Sequence, residues 1–374
     1  MENNVTKITS IEAICLIITI AINRIILNLP QNILDLCGSS AILNVIYISI
    51  IATVFVIIIV KLYKHFTESD IIDISEFVGG KVLRSIIGML IIIYFLLITG
   101  ILLRNFSEIL YIAYYKRVNI LFIMIFFVGV CIVANLLGER AIIKSNMIFT
   151  IIMFVSLILT FIFVIPNIVM TRIFPILGNG AYATFFSGLS NIFSFNGLIC
   201  IYFIMPLLNK KNDYKKVAIT AVVLIGLLLF FSTACLLLSI TFSKHIQSIS
   251  PLYVLIKNNE FGKFLQHPES LFVFAWILSI MTYLNVLIMF ALRITKKISC
   301  TKSIKLYVVP ICLILLVVAL VPQNISEAAK IADLLYKYYS FPLTFIILPA
   351  ILIIANIKFK KKNPHSEMPS AKNN

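Results

Sequence analysis

INRIILNLP, residues 22–30, lies inside the first long apolar run of the chain and places Asn23, Arg24, Asn28 and Pro30 among Ile and Leu. Pro30 cannot donate a backbone hydrogen bond. An arginine at the centre of a membrane helix costs about 2.5–3.5 kcal/mol or more. A continuous helix is therefore not expected here. The stretch predicts a broken helix whose freed backbone groups face a cavity or packed protein, with Asn23 and Asn28 available to satisfy them. A second interrupted run, SNIFSFNGL (190–198), carries Ser190, Asn191, Ser194, Asn196 and Gly197.

The rest of the chain explains why such breaks matter. It has 374 residues, of which 61% are hydrophobic and only 12% charged, and its mean hydropathy is +1.07. A soluble domain is nearer half apolar and a quarter charged, so this composition belongs in a bilayer. The net charge of +16 does not indicate nucleic acid, because Lys and Arg lie in short clusters between apolar runs. Five of the seven cysteines (Cys15, Cys131, Cys200, Cys235 and Cys312) fall inside apolar runs, with no CxxC spacing. Neither disulfides nor a metal site is expected. His65, His245, His267 and His365 fall in loops or the tail, and no HExxH, GxSxG or P-loop pattern occurs. The reading is therefore of a non-enzyme without cofactors. MENNVTKITS is followed by no small-residue cleavage pattern, so the first apolar run is expected to stay as a span.

A span needs about 20 mostly apolar residues. Ten are expected, at about 10–36, 41–61, 83–105, 119–137, 145–166, 185–208, 217–242, 270–292, 305–322 and 338–357. Runs this continuous read as helices, since barrel strands alternate over about ten residues. With the N-terminus inside, 21 of the 31 Lys and Arg fall on the cytoplasmic side. Nine fall outside (Arg104, Lys116, Arg117, Arg172, Lys244, Lys257, Lys263, Lys330 and Lys337), and Arg24 lies within a span. That asymmetry places both termini inside.

Ten spans divide into two sets of five, about 8–166 and 185–357, within one membrane domain over 1–360 followed by a polar, basic tail at 361–374. The first span of each set is the interrupted one. Paired interruptions of this kind point to an inverted-repeat fold with broken helices one and six, although Asn, Ser and Gly also serve ordinary helix packing. TESDIIDISEFVGG (67–80) reads as a short cytoplasmic surface helix, and 250–270 as a segment with an outer helix able to cap a cavity.

In order along the chain, ILNLPQNILDLCGSSA (26–41), ISEFVGGKVL (74–83), LLRNFSEIL (102–110), LLGERAIIKSNMIF (136–149) and FLQHPESLFVFAWI (264–277) resemble the B-type, permease-like subunit of bacterial spore germinant receptors. That family lies within the amino acid–polyamine–organocation transporter superfamily. The resemblance covers about residues 8–357 and implies an all-α integral membrane fold of ten helices in two inverted repeats. It also implies two partners, a larger membrane A subunit and a lipoprotein C subunit, in the inner membrane of the spore. Relatives usually carry small, glycine-type residues where this chain has Asn23 and Arg24.

The candidate ligand-binding residues follow from the two breaks. Arg24 presents a fork of donors suited to a carboxylate. Its alternative is a structural role, paired with Glu108 or snorkelling to an interface. Asn23 and Asn28 flank it, and Phe195, Asn196 and Gly197 are expected to form the opposite wall. Tyr94, near the middle of span three, either donates to a substrate oxygen or is a core aromatic. Ser279 and Thr282 share a face of span eight but are not adjacent as in sodium-binding relatives, and span five offers only Ser156 and Thr160. The leading reading is a receptor subunit that binds a small nutrient, an amino acid first, and signals through its partners. The alternatives are a free-standing amino acid permease and a membrane scaffold without a ligand.

Overall fold

The computed structural model describes residues 6–115, 117–239, 250–257, 268–301 and 303–362. The first helix, α1 (Ser10–Ile26), starts at a capping box: the Thr9 hydroxyl accepts from the Glu12 amide, and the Glu12 carboxylate accepts from the Thr9 amide. It stops at Leu27 and Asn28. A second helix, α2 (Leu29–Cys37), restarts there with Pro30 in its first turn, where a missing N–H costs nothing. The break expected from the sequence is thus present.

The chain continues through α3 (Ala41–Leu62), α4 (Ile71–Ala113), α5 (Ile120–Leu137) and α6 (Glu139–Val164). The second interrupted run is a tightly wound 3-10 helix over Ser187–Cys200, with a kink at Phe195 (φ −92°, ψ 21°). There follow α7 (Ile201–Ile204), α8 (Tyr214–Ser239), α9 (Pro251–Lys257), α10 (Pro268–Ser299), α11 (Lys305–Leu320), α12 (Ile325–Leu335) and α13 (Leu348–Lys362). Loosely wound π turns join α12 to α13 at Tyr336–Ser340 and Pro342–Ile347.

The architecture is all-helical. Among the described residues the only β-type pairing is an isolated bridge between Ile8 and Leu208. Eight helical stretches are long and apolar enough to cross a membrane; α1 and α11, at 17 and 16 residues, are shorter. Large apolar side chains point outward from α5 (Phe122, Phe126), α6 (Val155, Ile162) and α11 (Leu313, Val317). In water such a surface would aggregate; it suits contact with lipid tails.

Among the described residues the ion pairs gather at the two ends of the bundle. At one end Ser10 donates to Asp213 (2.7 Å), Lys297 bonds both Asp70 and Asp73 (2.6 Å each), Arg84 pairs with Glu76 (2.7 Å), and Lys358 donates to the Phe77 carbonyl (3.0 Å). This is the end that carries most of the basic loops. At the other end Arg104 pairs with Glu108 (2.6 Å) and reaches the Gln323 carbonyl (2.8 Å), while Asn179 donates to Leu36 (3.0 Å).

The segment over 67–80 does form a short helix, separated from the rest of α4 by non-helical backbone at Gly79 and Gly80. It packs into the bundle and does not lie on its surface: Ile71, Ile72, Ile74 and Ser75 are buried. Its cap, Asp70, is 1% exposed and accepts from the Ile72 and Asp73 amides. Burial pushes the Asp70 carboxyl above the usual carboxylate range, and Lys297 pulls it back. Of the expected outer segment, α9 is present and buried; residues 258–267 lie outside the described part, as does the tail from 363.

At the centre of the bundle stands α1, with 12 of its 17 residues buried. A helix that is apolar all round belongs there. It comes close to the second break because Gly197 has no side chain: a Cβ there would meet the Ile17 carbonyl oxygen at 2.9 Å and the Ala21 amide at 3.4 Å. Those obstacles are backbone and cannot swing aside. Gly197→Val is expected to cost about 1–3 kcal/mol by overpacking, read as a lower yield and melting temperature of detergent-solubilised protein. A wild-type melting curve would show that the two helices are not held this tightly.

Candidate functional site

The break between α1 and α2 opens onto a cavity of about 280 Å³. Three helices each give it one face. Asn28, Gln31, Asn32 and Asp35 come from the break and α2; Ile98, Leu102, Asn105 and Ile109 from the half of α4 beyond its midpoint; and Ser326, Ala329, Lys330, Asp333 and Tyr336 from α12 and the π turn after it. Spacings of three and four residues on each element are those of a single helix face.

Arg24 lines this cavity from the last turn of α1. Its Nη1 donates to the Phe193 carbonyl at 2.6 Å, in the second interrupted segment. Its guanidinium lies 3.4 Å from the centre of the Tyr336 ring, a stacked cation–π geometry that arginine favours. One side chain therefore ties α1 to both the 3-10 segment and the π turn. Among the described residues no carboxylate pairs with it. The proposed structural partner, Glu108, is already held by Arg104, whose Nε and Nη2 donate to it at 3.0 and 2.6 Å. These two sit one helical turn apart on α4, so the pairing is local and leaves no charge for Arg24.

The other polar groups of the cavity complement Arg24. Asp35 accepts from Gln31 at 2.9 Å. Asp333 shares the cavity wall with Arg24 and feels its charge. Asn105 is 7% exposed, and its Oδ1 has no hydrogen-bond partner. A buried carboxamide oxygen left unpaired costs about 1–3 kcal/mol, which a donor entering the cavity would recover. The freed carbonyl at the break, that of Ile26, is already taken by the Ser250 hydroxyl at 2.5 Å.

Of the seven residues picked from the sequence, Arg24 and Asn28 line the cavity and the other five do not. Asn28 makes no capping hydrogen bond with its side chain. Asn23 is fully buried on another face of α1 and donates to the Ser279 hydroxyl (3.0 Å) and the Thr19 carbonyl (2.9 Å), so it joins α1 to α10 and does not serve the break. Ser279 is thereby occupied, and Thr282 donates to the Ser279 carbonyl at 2.9 Å. Tyr94 is a buried core aromatic stacked on Tyr339, with ring centres 5.9 Å apart. Phe195, Asn196 and Gly197 are buried, and Gly197 packs against α1. Asn196 keeps both polar side-chain atoms unpartnered. The cavity walls beside Arg24 are α2, α4 and α12, while the 3-10 segment meets Arg24 directly through the Phe193 carbonyl.

Asp35, Asn105, Ser326, Lys330 and Asp333 were not singled out from the sequence. The signal existed in NISEAAKIADLLYKY (324–338): Ser326, Ala329, Asp333 and Tyr336 repeat at helical spacing just before an apolar run.

A family model described as spore germination protein matches residues 7–328. No curated protein matches the chain. With a match over most of its length and eight apolar helices long enough to cross a membrane, the chain is a multi-pass membrane protein and belongs to the spore germination protein family, of the permease-like type found in germinant receptors.

Proposed function

We propose that this protein is the nutrient-binding membrane subunit of a germinant receptor in the inner membrane of the spore. It crosses the bilayer ten times: α1 and α11 add to the eight long helical stretches, with α2 grouped with α1 as the first span, α3 as the second and α11 as the ninth. The spans form two inverted five-helix repeats, with A and C subunits as partners that carry the signal onward. The ligand is a small zwitterion, an amino acid first, seated at the α1–α2 break.

The observation that carries this reading is the charge arrangement of the cavity. A half-buried Arg24, within 4 Å of no carboxylate among the described residues, stands at the break, while Asp333, Asp35 and the unpaired Asn105 oxygen line the same space. A carboxylate suits the guanidinium and an ammonium suits the acids. A volume of about 280 Å³ limits the ligand to a small one.

The test is calorimetric titration of the chain in lipid nanodiscs with a panel of L-amino acids and their deaminated acids. An amino acid is expected to bind, and its deaminated analogue to bind more weakly. Asp333→Asn should weaken the amino acid by roughly ten- to hundredfold, the worth of one charged hydrogen bond at about 1.5–3 kcal/mol, and should narrow the gap to the analogue. Equal binding of both compounds would sink the zwitterion assignment. Uptake of labelled amino acids by proteoliposomes holding this chain alone would favour a permease over a receptor.

The ten-span topology has its own test. Cys300 is the exposed cysteine, at the basic end, and Lys257 is exposed at the end of α9. A membrane-impermeant thiol reagent added outside should label Lys257→Cys and leave Cys300 unlabelled. The opposite pattern would reverse the orientation.

A further inference from the structure

We propose that the basic end of the bundle holds a second binding site, for a phosphate-bearing anion. A cavity of about 760 Å³ lies there between the α5–α6 junction, the last turns of α10 and the start of α11. Four cations line it (Arg293, Lys296, Lys297 and Lys305) against one carboxylate, Glu139.

The pairing of these charges is incomplete. Lys297 is neutralised from outside the cavity by Asp70 and Asp73. Glu139 stands 3.7 Å from Arg293 Nη1, too far for a hydrogen bond, and that buried nitrogen has no hydrogen-bond partner. Among the described residues neither Lys296 nor Lys305 is paired with a carboxylate. The cavity therefore keeps an excess of positive charge and an unused guanidinium donor.

Two helices begin at its wall without a side-chain cap. The 26-residue α6 follows Gly138, and the 16-residue α11 follows Ile304. Their first amides and the positive ends of their dipoles add to the attraction for an anion. Asn135 lines the same cavity; it is 6% exposed, donates to Cys131 and Asn285, and leaves its Oδ1 without a partner. A ligand that offers anionic oxygens and also a hydroxyl donor satisfies both sets. The phosphoglycerol headgroup of an anionic lipid has this chemistry, and so does a soluble hydrogen phosphate. Basic cavities between helices at the cytoplasmic face are suited to such headgroups.

Native mass spectrometry of the detergent-solubilised full chain, offered phosphatidylglycerol and phosphatidylcholine in equal amounts, tests the site. The anionic lipid should be retained preferentially. Lys296→Gln with Lys305→Gln should lower that preference by roughly fivefold per lysine, and Glu139→Gln should raise it. Both lysines are at least partly exposed, so the double variant should fold, with its melting temperature as the control. If millimolar inorganic phosphate displaces the lipid, or raises the melting temperature of the wild type but not of the double variant, the natural ligand is the soluble anion. Equal retention of the two lipids with no effect of phosphate, or a preference unchanged in the double variant, overturns the proposal.

Discussion

Arg24→Lys is expected to shift the nutrient dose–response of spores to roughly ten- to hundredfold higher concentration, and Arg24→Met to abolish the response at every concentration tried. The guanidinium donates to the Phe193 carbonyl at 2.6 Å and lies 3.4 Å from the Tyr336 ring centre, which leaves its remaining donors for a carboxylate in the cavity. Lysine keeps the charge but offers neither a planar face to stack nor a fork to bind with. The loss of one charged hydrogen bond, about 1.5–3 kcal/mol, sets the size of the shift. Methionine removes the charge altogether. It leaves the Phe193 carbonyl without this donor, yet it also removes the cost of burying an ion, so the amount of folded protein should change little. Adding Glu108→Gln should restore nothing and should itself weaken folding, since Glu108 belongs to Arg104. A normal dose–response from Arg24→Met, with protein level measured alongside, would end the carboxylate-binding idea.

The largest effect on stability is expected from Lys297→Met. Asp70 is 1% exposed and caps the helix that begins at Ile71, and Lys297 is the cation that compensates it and Asp73. Removing the cation leaves two carboxylates together, one of them buried, at a cost of about 3–5 kcal/mol. The triple variant Lys297→Met, Asp70→Asn, Asp73→Asn should recover most of this, because an amide can still accept from the Ile72 and Asp73 amides. The pH dependence has a definite sign. Burial already pushes the Asp70 carboxyl up, opposed chiefly by Lys297. Without Lys297 the folded state holds the proton more tightly than the unfolded chain does. The variant's deficit should therefore shrink as pH falls toward the unfolded carboxylate pKa of about 3.9, and grow as pH rises through the folded value. Thermal unfolding in detergent between mildly acidic and neutral pH measures it; a deficit that is flat with pH would show that Asp70 stays charged in the variant.

Arg24 and Asn23 show where reading along the chain succeeds and where it stops. That a helix could not run unbroken from residue 22 to 30 followed from Pro30 and a charged side chain in an apolar run, and the break stands at Leu27 and Asn28. That Arg24 would face a cavity was one of two readings left open. Asn23 lies away from the cavity for a geometric reason. Neighbours on a helix point in directions about 100° apart, so Asn23 turns toward Ser279 on α10 while Arg24 turns toward Tyr336.

Local chemistry was sufficient for what depends on the solvent and on nearest neighbours. Apolar runs in a chain of mean hydropathy +1.07 had to become membrane helices, since only helices satisfy their backbone within one run in lipid. The grouping of most Lys and Arg between particular runs matches the charged end at which Asp70, Asp213, Lys297 and Lys358 meet others. The caps at Thr9 and Asp70 and the kink at Gly79 and Gly80 are likewise written in a few adjacent residues. The identity of the cavity wall is not local. Tyr336 and Asp333 come to the Arg24 cavity from the far end of the chain, and the 3-10 segment touches Arg24 through the Phe193 carbonyl without lining the cavity. Helix packing in a bundle is decided by which surfaces fit at the closest distance, and that fit depends on all the helices at once, which is why only the tertiary structure could say what stands opposite the arginine.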